Sequence, residues 1–248
     1  MNPSGHTILI TGGASGIGLA LTEQFLKHGN KVIVAGRSES KLSEVKARYP
    51  DVQVIPCDIS RDSDRGRLVK WLNEEHSDLS VLINNAGIQY NYAFTDWNVQ
   101  EADRTRTIQE ETDINLTAPI KLIAQLLPLL ARHPQAAIVN VSSGLGIVPK
   151  KSAPVYCATK AGLHLFTKAL RYQLESTPVR VFEVIPPLVD TEMTRNRGKR
   201  KLSAEQLAAE FWRAYRRDRL EIAIGKVKLL NWMNRFAPAV AEAILKNS

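Results

Sequence analysis

The chain has 248 residues, 44% of them apolar, two cysteines and a formal net charge of +8. This length suits one large α/β unit or two small ones and buries enough apolar surface to need no metal or disulfide staple. Cys57 and Cys157 have no Cys-x-x-Cys spacing, which argues against a zinc site and a disulfide framework, and the five histidines have no ligand spacing and read as scattered surface residues. No charged segment precedes the apolar run at Thr7, and no run of about 18 uncharged apolar residues follows. Neither a signal peptide nor a spanning helix is therefore expected, and the setting indicated is the reducing cytoplasm.

Thr7 to Ile10 reads as a short buried strand that runs straight into Thr11-Gly12-Gly13-Ala14-Ser15-Gly16-Ile17-Gly18. An amphipathic helix follows to about His28, where Gly29 stops it. A glycine-rich turn between strand and helix lets backbone approach a pyrophosphate, and the helix N-terminus adds free N–H groups and partial positive charge. A tight βα turn without a ligand has the same look. Residues 31–35 form the second strand, ending in Gly36-Arg37-Ser38. At this place, about 20 residues past the glycine turn, an acid holds the ribose 2′-OH of NAD, whereas an arginine accommodates the 2′-phosphate of NADP. No acid occurs before Glu39, and Arg37 offers a charge-assisted fork, so the strand end favours NADP(H) over a mere surface cation.

A helix near 39–48 leads to a strand at 52–56 and to Cys57-Asp58-Ile59. Asp58 is placed to accept from an adenine amino group or to cap the next helix, for which Ser60 and Asp62 also serve. Helix 62–75 precedes strand 80–83 and Asn84-Asn85-Ala86-Gly87, which are turn-forming residues on the edge where open parallel sheets bind ligands. Residues 88–107 are the least regular, and Tyr90, Tyr92, Phe94 and Trp97 either wall a pocket or pack under a loop. A long helix is expected over 108–132, kinked at Pro119 and Pro128. Asn115 inside it is either exposed or has a task, since asparagine is a poor mid-helix residue.

Strand 136–141 ends in Ser142 and Ser143; Tyr156 follows 13 residues after Ser143, and Lys160 four after that. In a helix over 154–175 the last two lie on one face, one turn apart. An ammonium beside a phenol favours the phenolate, so the Tyr156 pKa is expected to fall from about 10 toward neutrality, where the group can give or take a proton. An ordinary amphipathic pair has the same spacing. This helix is apolar on nearly every side, as in helices that pack on a second subunit as well as their own sheet. Strand 179–185 ends in Pro186-Pro187-Leu188-Val189-Asp190-Thr191. Between Arg195 and Arg219, nine Lys or Arg stand against three Asp or Glu. Such a cluster suits an anionic substrate, an acidic partner or a peripheral anionic membrane surface, or is simply a solvated face. No stacking motif accompanies it, which ranks nucleic acid last. A helix near 203–217, a strand near 221–224 and an amphipathic tail split by Pro238 complete an alternation that predicts one parallel sheet with helices on both faces.

The glycine turn Thr11 to Gly18, Asp58, Asn84 to Gly87, Asn115, Ser143 and Tyr156-x-x-x-Lys160, in this order and over about residues 5–195, resemble the short-chain dehydrogenase/reductase family in its branch of about 250-residue single-domain enzymes. The resemblance implies a doubly wound α/β fold of Rossmann type over 1–248, with 192–220 as a substrate lid. It implies an NADP(H)-dependent oxidoreductase that moves a hydride between nicotinamide and a small-molecule carbonyl or secondary alcohol. Tyr156 would be the general acid/base, and Lys160 would lower its pKa and hold the nicotinamide ribose hydroxyls. Ser143, rather than Ser142, would orient the substrate, and Asn115 would anchor a water between Lys160 and solvent. The cofactor would lie along Gly12, Ser15, Gly16, Ile17, Gly18, Arg37, Asp58, Ile59, Asn85, Ala86, Gly87, Pro186, Val189 and Thr191, the last contacting the carboxamide. A homodimer through the helices at 108–132 and 154–175 is the minimum assembly implied, and a tetramer needs C-terminal contacts. Two departures stand out: Pro187 replaces the usual glycine, and the tail lacks the Val-Asp-Gly-Gly ending of acyl-carrier-protein reductases. From Ile222 onward it resembles instead a bacterial branch named for lipoteichoic-acid D-alanylation. The competing reading is a catalytically silent NADP-binding sensor or scaffold; family members of that kind tend to lose the tyrosine or lysine that this chain keeps.

Overall fold

Short apolar runs alternating with amphipathic stretches build, in chain order, β1 (Thr7–Thr11), α1 (Gly16–Leu26), β2 (Lys31–Gly36), α2 (Glu39–Arg48), β3 (Gln53–Pro56), α3 (Asp62–Glu75), β4 (Leu79–Asn84), α4 (Glu101–Thr112), α5 (Ala118–Leu130), β5 (Ala136–Val141), α6 (Pro154–Gln173), β6 (Val179–Ile185), α7 (Ala204–Tyr215), β7 (Glu221–Ala223), α8 (Val227–Phe236) and α9 (Pro238–Leu245). This computed structural model describes residues 1–98, 100–198 and 200–247. Val99 of the irregular stretch, Lys199 of the basic segment and Ser248 lie outside the described residues.

The strands form a seven-stranded parallel sheet in the order β3-β2-β1-β4-β5-β6-β7. β1, β4 and β5 are buried along their whole length, as befits central parallel strands covered on both faces. Alternate side chains feed two cores. Ile8 and Ile10 of β1 join Leu21 and Phe25 of α1 and Phe211, Trp212 and Tyr215 of α7. Leu9 joins Leu72 of α3, Leu122 and Leu126 of α5, and Leu170 of α6. Phe25 meets Trp212 edge-on with ring centroids 5.1 Å apart, and truncating such an aromatic to alanine costs about 3–5 kcal/mol.

The helix expected over 108–132 begins earlier, at Glu101, and passes from α4 through a π turn at Asp113–Thr117 into α5. The stretch Glu101 to Thr112 buries only Glu111, so it offered no apolar stripe from which to read a helix. Glu101–Leu130 is the one helix among the described residues long and apolar enough to cross a membrane. Its apolarity is that of a core element: Leu122, Leu126, Leu129 and Leu130 are buried against the sheet. The helical ladder widens to i to i+5 bonding at the π turn, with Pro119 seated in the first turn of α5.

Strand order reverses between β1 and β4, and the C-terminal ends of β1, β2, β4, β5 and β6 open on one edge, the usual place for a ligand in such sheets. α8 and α9 flank that edge. Val227 and Leu230 approach Gly144 after β5, and the Lys151 N–H donates to the Lys246 carbonyl at 2.9 Å. Leu229, Trp232, Phe236, Val240 and Ile244 of the two helices are exposed.

Candidate active site

Gly12 and Gly16 of the β1–α1 turn have φ of +66° and +52°, backbone that a side chain would strain. A Cβ on Gly18 would overlap the Gly12 carbonyl oxygen, and one on Gly13 would come within 2.9 Å of Val34. Ser15 caps α1 in extended backbone without a side-chain hydrogen bond. The first N–H groups of α1 therefore point out of a shallow backbone cradle with no hydroxyl plugging it. Asn85 braces the cradle: its Nδ2 donates to the carbonyls of Thr11 and Gly12, at 3.0 and 3.2 Å. The backbone N–H groups of Asn85 and Ala86 donate to Thr11 Oγ1. Thr191 closes the far side, its Cγ2 within 2.9 Å of where a Gly16 Cβ would lie.

Arg37 stands at the end of β2 with its guanidinium largely exposed, 3.7 Å from Glu110. Glu110 in turn accepts from the Tyr90 hydroxyl at 2.7 Å. Asp58 spends one carboxylate oxygen on its own loop, accepting from the Ser60 N–H and hydroxyl at 3.0 and 2.7 Å. It caps no helix, and neither do Ser60 and Asp62; the cap position of α3 is Arg61. Ile59 and Val189 are buried, and Val189 pairs in an isolated parallel bridge with Leu202. Pro186 offers its carbonyl to the Gly144 N–H at 3.1 Å, and Pro187 lies beside Gly225.

Ser143, Tyr156 and Lys160 are brought together by a tight turn that follows β5. Gly146 lies flat on α6; a Cβ there would come within 2.7 Å of the Lys160 backbone. Ser143 caps this turn, its hydroxyl accepting from the Leu145 N–H at 3.1 Å. The Lys160 ammonium donates to the Val141 carbonyl at 2.9 Å and lies 5.7 Å from the centre of the Tyr156 ring. Gly87 faces both Asn115 and Lys160, with a would-be Cβ 3.1 Å from Asn115 Oδ1 and 3.6 Å from Lys160 Nζ.

The expected fall of the Tyr156 pKa is not what this geometry gives. Burial pushes the phenol up to about 12, and the Ser143 hydroxyl pulls it only part of the way back. Burial also brings Lys160 down to about 8, opposed by the carboxylates of Glu183 and Glu111. Lys160 is 4% exposed and aims its ammonium at a carbonyl rather than at the phenol. Desolvation therefore outweighs the neighbouring charge for both groups.

Asn115 is fully buried in the π turn, and its amide is committed: Oδ1 accepts from the Ile88 N–H at 2.9 Å, and Nδ2 donates to the Ile88 carbonyl at 2.8 Å and to Thr159 Oγ1 at 3.3 Å. It pins the loop after β4 against α6. Glu111, one helical turn earlier, is also buried and accepts the Tyr90 N–H at 3.0 Å. Desolvation holds its carboxyl above the ordinary range. Of the irregular aromatics, Tyr92 stacks on Phe94 at 5.8 Å, while Trp97 is 85% exposed. From the basic segment, Arg197 reaches back to donate to both carbonyl oxygens of Gln89.

Reading all five histidines as scattered surface residues was wrong for His6 and overlooked a partner of His164. His6 is buried with its ring on Ser80 and the Asn2 carbonyl. His164, one turn past Lys160, meets the buried Glu183 of β6. An acid within the apolar run Val179 to Ile185 was the available sign of the second pairing.

The short chain dehydrogenase family model matches residues 6–202. The "Uncharacterized oxidoreductase DltE" of Bacillus subtilis is 40% identical over 93% of this chain and 90% of its own length. Among solved structures, a short chain dehydrogenase of Burkholderia cenocepacia in complex with NADP superposes with a TM-score of 0.86, 26% identical over 100% of both chains. One of Sphingobium yanoikuyae in complex with NADPH superposes with a TM-score of 0.82, 25% identical over 96% of this chain and 95% of that one. The chain belongs to the short-chain dehydrogenase/reductase family and is an oxidoreductase of that class.

Proposed function

We propose that the protein is an NADP(H)-dependent oxidoreductase that transfers a hydride between nicotinamide and a small-molecule carbonyl or secondary alcohol. The observation that carries this reading is the meeting of Ser143, Tyr156 and Lys160 at the sheet edge that also holds the uncapped glycine cradle of α1. The residues present fit a dinucleotide. The N–H groups of Gly16, Ile17 and Gly18 would take the pyrophosphate. Asp58 and Ile59 would flank the adenine, Ala86 and Gly87 the adjoining ribose, with Pro186, Val189 and Thr191 on the nicotinamide side. Asn85 contributes by shaping the glycine turn. Arg37, exposed at the end of β2 with no acid before Glu39, would pair with a 2′-phosphate. Solved relatives that hold NADP and NADPH support a nicotinamide dinucleotide at this site. Bound NADPH would supply the hydride, and every other task falls to this chain's side chains and backbone.

In reduction, Ser143 orients the carbonyl oxygen toward the Tyr156 phenol, which delivers its proton as negative charge develops there. The high pKa of the buried phenol keeps it in the donating form at neutral pH. Lys160 positions the nicotinamide ribose and offers positive charge beside the phenol when the reaction runs toward oxidation. Asn115 holds the floor of the site through Ile88, and its backbone carbonyl would hold a relay water to Lys160, since Pro119, four residues on, has no N–H to offer it. Residues 192–220 form the lid over the substrate, and one protein domain spans the chain. Leu165 and Tyr172, exposed on α6, supply an apolar face for a homodimer.

Tyr156→Phe should abolish turnover of a ketone and alcohol panel with NADPH or NADP while changing cofactor affinity by less than about threefold; retained turnover removes the assignment. Arg37→Asp should weaken NADP binding by roughly 10–100-fold, the worth of one or two charge-assisted hydrogen bonds, and leave NAD little changed. A wild-type preference for NAD refutes the role given to Arg37.

A further inference from the structure

One buried carboxylate with an imidazole partner lies directly behind the site. Glu183 sits in the middle of β6 with its side chain 1% exposed, surrounded by Val181, Phe182, Val184 and Ile185. Its carboxylate makes three contacts with two atoms of two residues that the sequence places far apart. The Ser142 hydroxyl donates to Oε1 at 2.5 Å, and His164 Nδ1 lies 2.9 and 3.0 Å from the two oxygens. Buried charge of this kind is costly unless paired and is not explained by strand propensity or core packing.

What it holds is the exit of β5. Ser142 stands between Val141, whose carbonyl receives the Lys160 ammonium, and Ser143, whose hydroxyl faces Tyr156. The partner imidazole sits on the same helical face as the two reactive groups, since Tyr156, Lys160 and His164 follow at intervals of four along α6. His164 is the half-exposed end of the pair. We propose that Glu183 and His164 are positioning residues for Lys160: the carboxylate, tied to α6 through His164 and to β5 through Ser142, fixes the carbonyl that receives the ammonium and supplies that ammonium with a built-in counter-charge. This rests on the dinucleotide role given to Lys160 above.

The charges facing this group from each element are few. Lys160 and Lys168 come from α6, Glu111 from α4, and Glu221 from β7, where it is paired in register with Glu183. Glu183 raises the ionisation of His164, chiefly through their hydrogen bond. It also heads the influences that oppose the loss of the Lys160 proton to burial. Two opposite perturbations follow. Glu183→Gln keeps an acceptor for Ser142 but removes the negative charge, so Lys160 should lose its proton at lower pH. His164→Gln keeps a donor to the carboxylate but removes the protonatable ring that competes with Lys160 for it, so Lys160 should hold its proton to higher pH.

NADP affinity measured by calorimetry from pH 6 to 9.5 reads this without any substrate. The wild type should weaken as Lys160 loses its proton. Glu183→Gln should move that limb down by roughly half to one pH unit, leaving affinity at pH 6 unchanged, and His164→Gln should move it up. Imidazole NMR provides the second readout: the His164 titration should fall in Glu183→Gln. Limbs that superimpose on the wild type, or that move the same way in both variants, overturn the inference, as does a uniform loss of affinity at every pH. Should Glu183→Gln not fold, the direction in His164→Gln decides. A wild type that binds no NADP at any pH overturns the functional reading and this inference with it. Normal binding with an unmoved limb overturns this inference alone.

Discussion

The two halves of the open sheet edge are built by different means. Around β1, α1 and the loop after β4, shape is set by backbone: positive φ at Gly12 and Gly16, a Gly18 with no room for Cβ, and Asn85 braced on two carbonyls. Across the edge, the wall is made of side chains reaching from irregular segments, such as Arg197 onto Gln89, Tyr90 onto Glu110 and the exposed Trp97. A backbone-built half can hold one ligand class in one way, whereas a side-chain wall can be rewritten residue by residue without disturbing the sheet. On the proposed function, the first half would hold the cofactor and the second would select the substrate.

The largest break should come on the backbone side. Gly18→Val places Cβ on the Gly12 carbonyl oxygen, a backbone atom, and within 2.5 Å of the Asn85 amide that braces the turn. NADP affinity should drop by roughly 100-fold or more, and the thermal midpoint should fall, because forced overlap in packed regions costs about 1–3 kcal/mol. Calorimetric titration with NADP checks it, and affinity within threefold of the wild type would show that the turn relaxes and the contrast is false.

Next in size is Lys160, which lies between the halves. Its pKa is about 8 in the fold against about 10.4 in an unfolded chain. Between those values the unfolded chain binds more protons, so stability should rise with pH across that window and carry the full penalty below it. The penalty is on the order of 3 kcal/mol. Lys160→Met should therefore abolish turnover yet unfold at no lower a temperature than the wild type at pH 7, without the rise in stability from pH 8 to 10 that Lys160 contributes to the wild type. Thermal melts across that range decide it, and a variant clearly less stable at neutral pH would mean that the Val141 hydrogen bond outweighs burial.

How far these features can be read from sequence follows the same division. The glycine turn, the end of β2 and the Tyr156–Lys160 spacing are local, set by one strand–turn–helix or one helical turn, and they fall where the spacing predicts. Seven strands lie within a residue or two of their expected places, since buried parallel strands are continuous apolar runs. The start of α4 was missed because Glu101 to Thr112 has no apolar stripe. The Tyr156 pKa was misjudged because burial, a property of the whole fold, outweighs a neighbour four residues away. Glu183 and His164 lie 19 residues apart on a strand and a helix, and only the packing of α6 on β6 joins them.

On the side-chain wall the effects should be smaller and confined to substrate. Arg197→Ala removes two hydrogen bonds to Gln89 and a positive charge facing Tyr156. KM for a turned-over ketone should rise by roughly 3–10-fold, within the range for lost charged hydrogen bonds, while NADP affinity stays put. A matching loss of NADP affinity would show the two halves to be mechanically coupled.

Trp97→Ala should have the smallest effect and the one most specific to the wall. With the ring 85% exposed, its truncation should shift stability by no more than about 0.5 kcal/mol. If the indole folds over bound substrate, the ratio of kcat/KM between a bulky and a small ketone should change by about two- to fivefold, because one exposed apolar face gaining partial burial is worth about 1 kcal/mol. Turnover of the small ketone should not change. An equal loss for both ketones would place Trp97 in the support of the catalytic groups, and no change for either would leave selection to Arg197, Tyr90 and the segment after Thr191.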